Sequence, residues 1–220
     1  MRRPVAAALA TTGAAACAAA VFADPGREQI KLNPRDQAAA RATVLRRSDL
    51  GSSGGWNGGR VKPDLSPGPT CPNYHPKQSD LVLTGAAASS FRNGPVVMHN
   101  EVQVMQTRRM VRLDWQREVL APGVIPCQRR DLARSLGPGA KVVSFRRIPF
   151  PRVATYVTEF RARVDVSVLG RTAHLVMDAV LLGRSRTEIS FAIAGPAAQR
   201  ALLSAAERRL ARRVVRRVRA

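Results

Sequence analysis

The alternation of apolar and polar residues over 159–168 is the feature that most constrains the fold of this chain. Its apolar members are Phe160, Ala162, Val164, Val166 and Val168, and its polar members are Glu159, Arg161, Arg163, Asp165 and Ser167. A period of two is typical of a β-strand with one buried face. Glycine-containing turns separate it from further apolar segments at 172–182 and 189–193, and residues 141–150 precede it. The pattern therefore predicts an antiparallel meander of about four strands.

Apolar residues recur at helical spacing both before and after this meander in the sequence. It covers residues 35–50, which end at Gly51, residues 107–120, and a segment from Pro126 to near Leu136. A terminal helix over 197–218 closes the chain. Helices early, strands in the middle and a closing helix predict an α+β domain, in which helices pack on an antiparallel sheet.

The residues between the first two predicted helices interrupt regular structure for a long stretch. Residues 51–59 are rich in Gly and residues 63–76 are rich in Pro, so we expect neither a helix nor a central strand there. Residues 96–106 follow, and their imperfect alternation of polar and apolar residues predicts one further strand.

The first 23 residues have the order of a secretory signal peptide. Two arginines precede an Ala-rich apolar run over 4–20, and Val21-Phe22-Ala23 provides a cleavage site. We therefore expect a signal peptide over 1–23, a polar leader over 24–34 and a single domain over 35–219, in a secreted or extracytoplasmic protein. An uncleaved membrane anchor is the alternative, although Ala makes the run only weakly apolar.

Cys17 leaves a second alternative open. It follows Ala14-Ala15-Ala16, which is similar to the box at which bacterial lipoproteins are cut and lipidated, except that Leu usually stands where Ala14 does. A lipid at Cys17 would anchor the protein to a membrane. Without that lipid, the protein could associate with a membrane only through weak surface contact, because no later run of 18 apolar residues could span a bilayer.

The two remaining cysteines, Cys71 and Cys127, form an even pair in what would be an oxidising compartment. A disulfide between them would close a loop of 56 residues, which stabilises a fold by up to about 4 kcal/mol in the chain-entropy model. Two unrelated buried thiols are the alternative.

Net charge restricts the class of partner. The chain has 36 Lys and Arg against 15 Asp and Glu, a formal charge of +21 at pH 7, so it attracts polyanions such as lipid head groups and wall polymers. An exported location argues against genomic nucleic acid as a partner. Most of the basic residues are Arg, which coding bias in a GC-rich genome would also produce, so a charge without function is the alternative.

The terminal helix carries the most specific binding prediction. Its apolar stripe consists of Leu203, Ala206, Leu210, Val214 and Val218. We expect this stripe to dock on the sheet. Arginines cover the other side, and the predicted anion contacts are Arg208, Arg209, Arg212, Arg213, Arg216 and Arg217. Such a helix can instead lie on an anionic lipid surface, and that alternative stays open.

The sequence shows no catalytic or metal-binding motif. Residues 51–55 match G-x-S-x-G, but a nucleophile elbow needs a strand before it and a helix after it. Here a predicted helix precedes the match and a Pro-rich loop follows it. His75, His99 and His174 do not have metal-ligand spacing. We therefore expect neither an enzyme, nor a metal site, nor a cofactor.

Glu159 and Asp165 share one face of the strand predicted over 159–168, because residues an even number apart point to the same side. Arg161 and Arg163 lie between them. We expect these four side chains to neutralise one another on a solvated face.

Short motifs in a particular order resemble one group of exported actinobacterial domains. The motifs are Asp49-Leu50-Gly51, Gly55-Trp56, Cys71-Pro72, Leu83-Thr84-Gly85-Ala86, Ser89-Ser90-Phe91 and Cys127, followed by the meander and the closing helix. Over residues 35–219 the chain thereby resembles the PsbP-like extracytoplasmic sensor domain of mycobacterial-type serine/threonine kinases and of related secreted or lipid-anchored proteins.

This resemblance implies a PsbP-like α/β/α sandwich with a groove for an unidentified ligand and no established catalysis. The chain lacks a kinase domain and the two further cysteines of members with a second disulfide, so direct signalling is not expected. We expect a non-enzymatic ligand-binding or sensor-like domain of a bacterial envelope, whose partner is an unknown small ligand. The alternative is a structural or adhesion protein that binds anionic wall polymers or lipid through its Arg-rich surface. Steep salt dependence would favour the alternative.

Overall fold

A mixed sheet of eight strands forms the centre of the protein, in a computed structural model that describes residues 28–51, 54–65, 71–72, 74–168 and 170–218. The strands are β1 (Gln29–Ile30), β2 (Asn57–Val61), β3 (Val82–Asn93), β4 (Val96–Met105), β5 (Ala140–Ile148), β6 (Tyr156–Val168), β7 (Arg171–Arg184) and β8 (Thr187–Pro196). Their order across the sheet is β1-β3-β4-β8-β7-β6-β5, and β2 also pairs with β3. Among these strands β1 and β3 are parallel, and the other pairs are antiparallel.

Helices cover both faces of this sheet. The α-helices of the described residues are α1 (Pro34–Thr43), α2 (Arg108–Asp114, continued by a π-helical turn over Trp115–Val119), α3 (Val124–Leu136) and α4 (Arg200–Val215). Ala40 of α1 and Leu210 of α4 pack in the same apolar cluster as Met98 of β4. Trp115 and Leu132, from the α2 and α3 segments, pack in clusters on the opposite face. The predicted α+β class, with helices packed on a largely antiparallel sheet, is confirmed.

The meander predicted over residues 141–193 is present as β5, β6, β7 and β8, each antiparallel to the next. Phe160, Ala162 and Val164 of β6 are buried on the face that α2 and α3 cover. The strand predicted over 96–106 is also confirmed, as β4.

Besides β1, two strands lie where the sequence did not predict them. β3 is a central strand whose residues are nearly all buried, so no alternation of exposure reveals it. β2 lies in the Gly-rich segment predicted as a loop. There Gly58 has a φ of +117°, and a Cβ on it would lie 2.2 Å from the carbonyl oxygen of Ser90. Only glycine allows the two strands to approach so closely.

The first helix is shorter than predicted. α1 ends at Thr43 rather than near Leu50. The N–H group of Leu45 donates to the buried Oδ1 of Asn100 at 2.7 Å, so the chain leaves the helical path at this point. A 3₁₀ turn over Arg47–Asp49 follows.

The Pro-rich segment is fastened to the α2 and α3 region. Cys71 forms a disulfide with Cys127 of α3, with the two Cα atoms 5.8 Å apart, so the predicted bridge is confirmed. The Tyr74 hydroxyl donates to the carbonyl oxygen of Glu118 at 2.8 Å. These contacts hold Cys71 and Tyr74 against the α2 and α3 segments.

The predicted signal peptide over 1–23 and Cys17 lie outside the described residues. Part of the predicted leader belongs to the sheet, because the N–H group of Gln29 donates to the carbonyl oxygen of Leu81 at 3.0 Å and β1 pairs with β3. Within the described ranges, no helix has the length and apolar character needed to cross a membrane.

Candidate ligand-binding site

Four polar side chains line the boundary between β4 and β8. The pairing register places Gln103 opposite Glu188 and, one rung further, Glu101 opposite Ser190. Residues two apart in a strand point to the same face, so all four side chains project from one side of the sheet. We call Glu101, Gln103, Glu188 and Ser190 the polar row.

The polar row faces the side of the sheet that α2 and α3 cover. Val97 of β4 and Ala194 of β8 point to the same face as the row, and they pack in one cluster with Leu132 of α3. Asp114 of α2 lies close enough to Glu188 to alter its ionisation. The row therefore lies in the interior, between the sheet and these helices.

Side chains of the polar row are almost wholly excluded from solvent, and Glu188 is 0% exposed. Glu101 Oε1 accepts a hydrogen bond from Gln103 Nε2 at 2.9 Å. In the part of the chain that the structure describes, no amide, guanidinium, ring or hydroxyl group bonds to Glu101 Oε2, Gln103 Oε1, Ser190 Oγ or either carboxyl oxygen of Glu188. A buried polar atom without a partner costs roughly 1–3 kcal/mol, so these adjacent atoms are a cost to the stability of the fold.

The surroundings of Glu188 favour the neutral form of its carboxyl group. Burial raises the pKa of Glu188 well above its ordinary value, and the negative charges of Asp114, Glu28 and Glu118 raise it further. Asp114 Oδ1 accepts a hydrogen bond from Gln78 Nε2 at 2.9 Å, and its carboxyl group can share the Glu188 proton. In its protonated form, which these effects favour, Glu188 carries both a hydrogen-bond donor and an acceptor.

Small side chains border the polar row on the same face. The pairing of β3 with β4 brings Ala86 beside Gln103 and Ala88 beside Glu101. Apolar side chains on this face form three separate clusters, whereas the opposite face carries one large cluster. The polar row therefore interrupts the core on its own side of the sheet.

His99 marks the end of the row that is nearest to solvent. Its side chain is 11% exposed, and its Nε2 lies 3.9 Å from Glu101 Oε2. Ser90, which pairs with His99 across β3 and β4, is also only partly buried. The polar residues thus extend from a closed end at Glu188 toward the surface at His99.

The other histidines have local partners. His75 Nε2 lies 3.0 Å from the carbonyl oxygen of Pro72, and His174 Nδ1 lies 2.7 Å from Asp165 Oδ1. Among the described residues, no group of three potential metal ligands includes a histidine. The G-x-S-x-G match over 51–55 follows a 3₁₀ turn rather than a strand, and its serines lie outside the described residues.

The polar face of β6 is not solvated along its length, contrary to the sequence prediction. Glu159 is buried beside Glu207 of α4, and Arg161 of the same strand donates to Ser204 Oγ of that helix at 2.9 Å. Arg161 Nη2 donates to Glu159 Oε1 at 2.9 Å, but the main partner of Arg161 is Asp178 of β7, which accepts two bonds of 2.6 Å. Asp165 pairs with His174 instead of an arginine. The sequence prediction missed this cluster because its members come from elements far apart in the chain.

The predicted anion contacts divide into two groups. Arg208, Arg209, Arg212 and Arg216, on or just beyond α4, form the first group and are exposed, as is Arg213. Arg213 and Arg217 each form an ion pair with Asp49, and Arg217 also donates to the carbonyl oxygen of Val44 at 3.2 Å. These two residues fix the end of α4 to the segment that follows α1. Anion binding by the exposed group stays a prediction.

No protein-family model and no curated protein matches the chain. The solved structures that are similar to it include the following two. One is an uncharacterized protein of Mycobacterium smegmatis, the Rv0999 ortholog, which is 16% identical over 84% of this chain and 98% of that chain, with a TM-score of 0.43. The other is LpqN of Mycobacterium tuberculosis, described as involved in cell envelope biogenesis, which is 10% identical over 76% of this chain and 94% of that chain, with a TM-score of 0.27. The PsbP-like resemblance stays a prediction.

Proposed function

We propose that the protein is an exported, non-catalytic ligand-binding domain and that the polar row contacts its ligand. The observation that carries this proposal is that Glu101 Oε2, Gln103 Oε1 and Ser190 Oγ are buried without hydrogen-bond partners within the described residues, beside the Glu188 carboxyl group, which contacts Asp114. Selection for stability alone would favour apolar side chains at these positions, since replacing buried polar groups by apolar ones of similar shape is often neutral or stabilising.

The chemistry of the row favours a small neutral ligand with both hydrogen-bond donors and acceptors. Glu101 Oε2 and Gln103 Oε1 are available as acceptors, and the Ser190 hydroxyl can donate or accept. A protonated Glu188 carboxyl group would add a donor. One polar molecule with complementary groups would satisfy these atoms together, and the small side chains on β3 leave them without a competing partner from that strand.

Bound water is the competing explanation, because a buried water molecule can satisfy two to four polar groups. A ligand larger than water would add a distinct mass to the protein, which bound water would not. We would purify the full chain from the exported fraction of its own or a closely related host and compare its native and denaturing masses. A ligand predicts a stoichiometric added mass in the native spectrum that disappears on denaturation.

Single substitutions test whether the added mass is bound at the polar row. We expect Ser190→Ala to reduce the retained mass and Ser167→Ala, an exposed position on β6, to leave it unchanged. Both proteins should stay folded, since each change removes only one hydroxyl. A wild-type protein that carries no added mass from its own host, or equal retention by both variants, contradicts the proposal.

The denaturing mass also tests export. A polypeptide that begins at Asp24 supports cleavage of a signal peptide, and one that begins at Cys17 with added acyl mass supports a lipoprotein. A full-length polypeptide recovered only from the cytoplasm contradicts export.

The exposed arginines of α4 favour a second candidate, adhesion to an anionic polymer or lipid of the envelope. The test compares binding to anionic vesicles and to teichoic acid at low and high salt, because exposed charges are screened by salt. The test variant carries Arg208→Gln, Arg209→Gln, Arg212→Gln and Arg216→Gln. Its matched control removes four exposed arginines from other elements, with Arg129→Gln, Arg130→Gln, Arg134→Gln and Arg146→Gln. Equal losses in both variants would mean that net charge, not α4, causes binding.

A further inference from the structure

Three carboxyl groups meet in the interior between the sheet and α4, on the face opposite the polar row. Glu159 comes from β6, Asp178 from β7 and Glu207 from α4, and all three residues are buried. One oxygen of each carboxyl group lies within 4.8 Å of an oxygen of the other two. The fold therefore gathers three acidic ligand atoms around one point.

Arg161 compensates only part of this charge. Its guanidinium donates to both carboxylate oxygens of Asp178 and to Glu159 Oε1. It makes no hydrogen bond to Glu207. The further cation acting on the cluster is Arg208, whose side chain is exposed. When all three carboxyl groups are ionised, the buried negative charges exceed the buried positive charge by two.

Glu207 is the observation that points to a ligand. Its side chain is 0% exposed, and in the described part of the chain neither of its carboxyl oxygens has a hydrogen-bond partner. It projects from α4 between Leu203 and Leu210, where the helix otherwise presents apolar side chains to the sheet. Burial, together with the negative charges of Asp178 and Glu159, raises the pKa of Glu207. The polypeptide alone therefore does not stabilise its ionised form.

We propose that Glu159, Asp178 and Glu207 bind a hard divalent cation of the class of Ca²⁺, Mg²⁺ or Mn²⁺, with each carboxylate supplying an oxygen. These ions prefer carboxylate oxygens, and the spacing of the three oxygens suits metal–oxygen distances of about 2.0–2.6 Å. A divalent charge equals the excess of negative charge in the cluster. Because the ligands come from β6, β7 and α4, the cation would fasten the terminal helix to the sheet.

The competing account is a protonated carboxyl cluster that needs no cation. To separate the two, the full chain is stripped with a chelator, transferred to chelator-free buffer at neutral pH and titrated calorimetrically with Ca²⁺, Mg²⁺ and Mn²⁺. Thermal unfolding is followed with and without each ion. We expect one equivalent of at least one of these ions to bind and to raise the melting temperature.

Glu207→Gln is the test variant, because it keeps the shape of the side chain and removes one ligand charge. We expect it to weaken cation binding by about tenfold or more and to abolish the thermal shift. Asp165→Asn is the control, because Asp165 lies on the same face of β6 but outside the cluster and pairs with His174. It should bind the cation like the wild type. No binding of any of the three ions by the wild type, or unchanged binding by Glu207→Gln, overturns the proposal.

Discussion

The guanidinium group of Arg186 donates hydrogen bonds to both carboxylate oxygens of Asp36, at 2.8 and 3.1 Å. Asp36 lies in the first turn of α1, and Arg186 lies in the turn between β7 and β8. Arg186 also donates to the carbonyl oxygen of Met105 at the end of β4, at 3.1 Å. One side chain therefore ties the first helix to three strands of the sheet.

This ion pair makes the fold sensitive to acid. The hydrogen bonds from Arg186 hold the pKa of Asp36 well below its ordinary value. Because the folded-state pKa is the lower one, the stabilisation is fully present above the unfolded-state pKa of about 4 and is lost as the pH falls below it. We expect Asp36→Asn to lower the free energy of unfolding at neutral pH by about 2 kcal/mol.

Urea unfolding at a series of pH values checks this prediction. The difference in free energy of unfolding between the wild type and Asp36→Asn should shrink steadily between about pH 5 and pH 2. A difference that stays constant over that range would show that the charge of Asp36 contributes nothing and that the substitution acts through packing.

Gly85 sets how closely α1 approaches β3. A Cβ at this position would lie 2.4 Å from the carbonyl carbon and oxygen of Asp36, so the backbone of the helix would have to move. We expect Gly85→Ala to lower the free energy of unfolding by about 3 kcal/mol. Gly59→Ala in β2 is the matched control, because no atom lies within 4 Å of its added Cβ. Equal losses in chemical denaturation would attribute the effect to strand conformation and not to the contact with α1.

The Cys71–Cys127 disulfide closes a loop of 56 residues. We expect the double variant Cys71→Ser, Cys127→Ser to lose up to about 4 kcal/mol of unfolding free energy, because the unfolded chain regains the freedom of that loop. Guanidinium unfolding with and without a reductant measures the loss. The reductant should destabilise the wild type to the level of the double variant and leave the double variant unchanged. A similar response of both proteins would show that the reductant acts elsewhere.

The sequence pattern predicts those strands and helices that have one apolar side and one polar side. In β6 the buried Phe160 and Ala162 alternate with polar residues, and in α4 Leu203 and Leu210 recur at helical spacing, so both elements were found. β3 was missed because residues such as Ala88 are buried although small, and a strand buried on both faces shows no period.

The candidate sites were beyond sequence reasoning for a different physical reason. The polarity of Glu159 and of Glu188 is visible in their strands, and a polar residue in an alternating strand is ordinarily expected to face solvent. Whether a helix covers that face depends on contacts between residues far apart in the chain, such as Glu159 with Asp178 and Glu207. The sequence pattern specifies the face of a residue but not the element packed against it.

We expect the Glu188 side chain to destabilise the fold, since its proposed role is to contact a ligand and not to support the core. Its carboxyl group is fully buried and accepts no hydrogen bond from an amide, guanidinium or hydroxyl group in the described residues, and it faces the carboxyl group of Asp114. Glu188→Leu removes this cost and adds apolar contacts at similar volume. We therefore expect the free energy of unfolding to rise by about 1–2 kcal/mol, because the cost of burying polar atoms without partners is removed.

The same substitution should abolish retention of the ligand mass, because the side chain loses its donor and its acceptor. Chemical denaturation of ligand-free protein and native mass measurement of protein from the original host give the two results separately. A variant that is less stable than the wild type without ligand would show that the carboxyl group serves the fold, through its contact with Asp114. A variant that is more stable but keeps the ligand would place the ligand away from Glu188. The proposal requires both a gain in stability and loss of the ligand, because it holds that Glu188 is retained for binding although it destabilises the core.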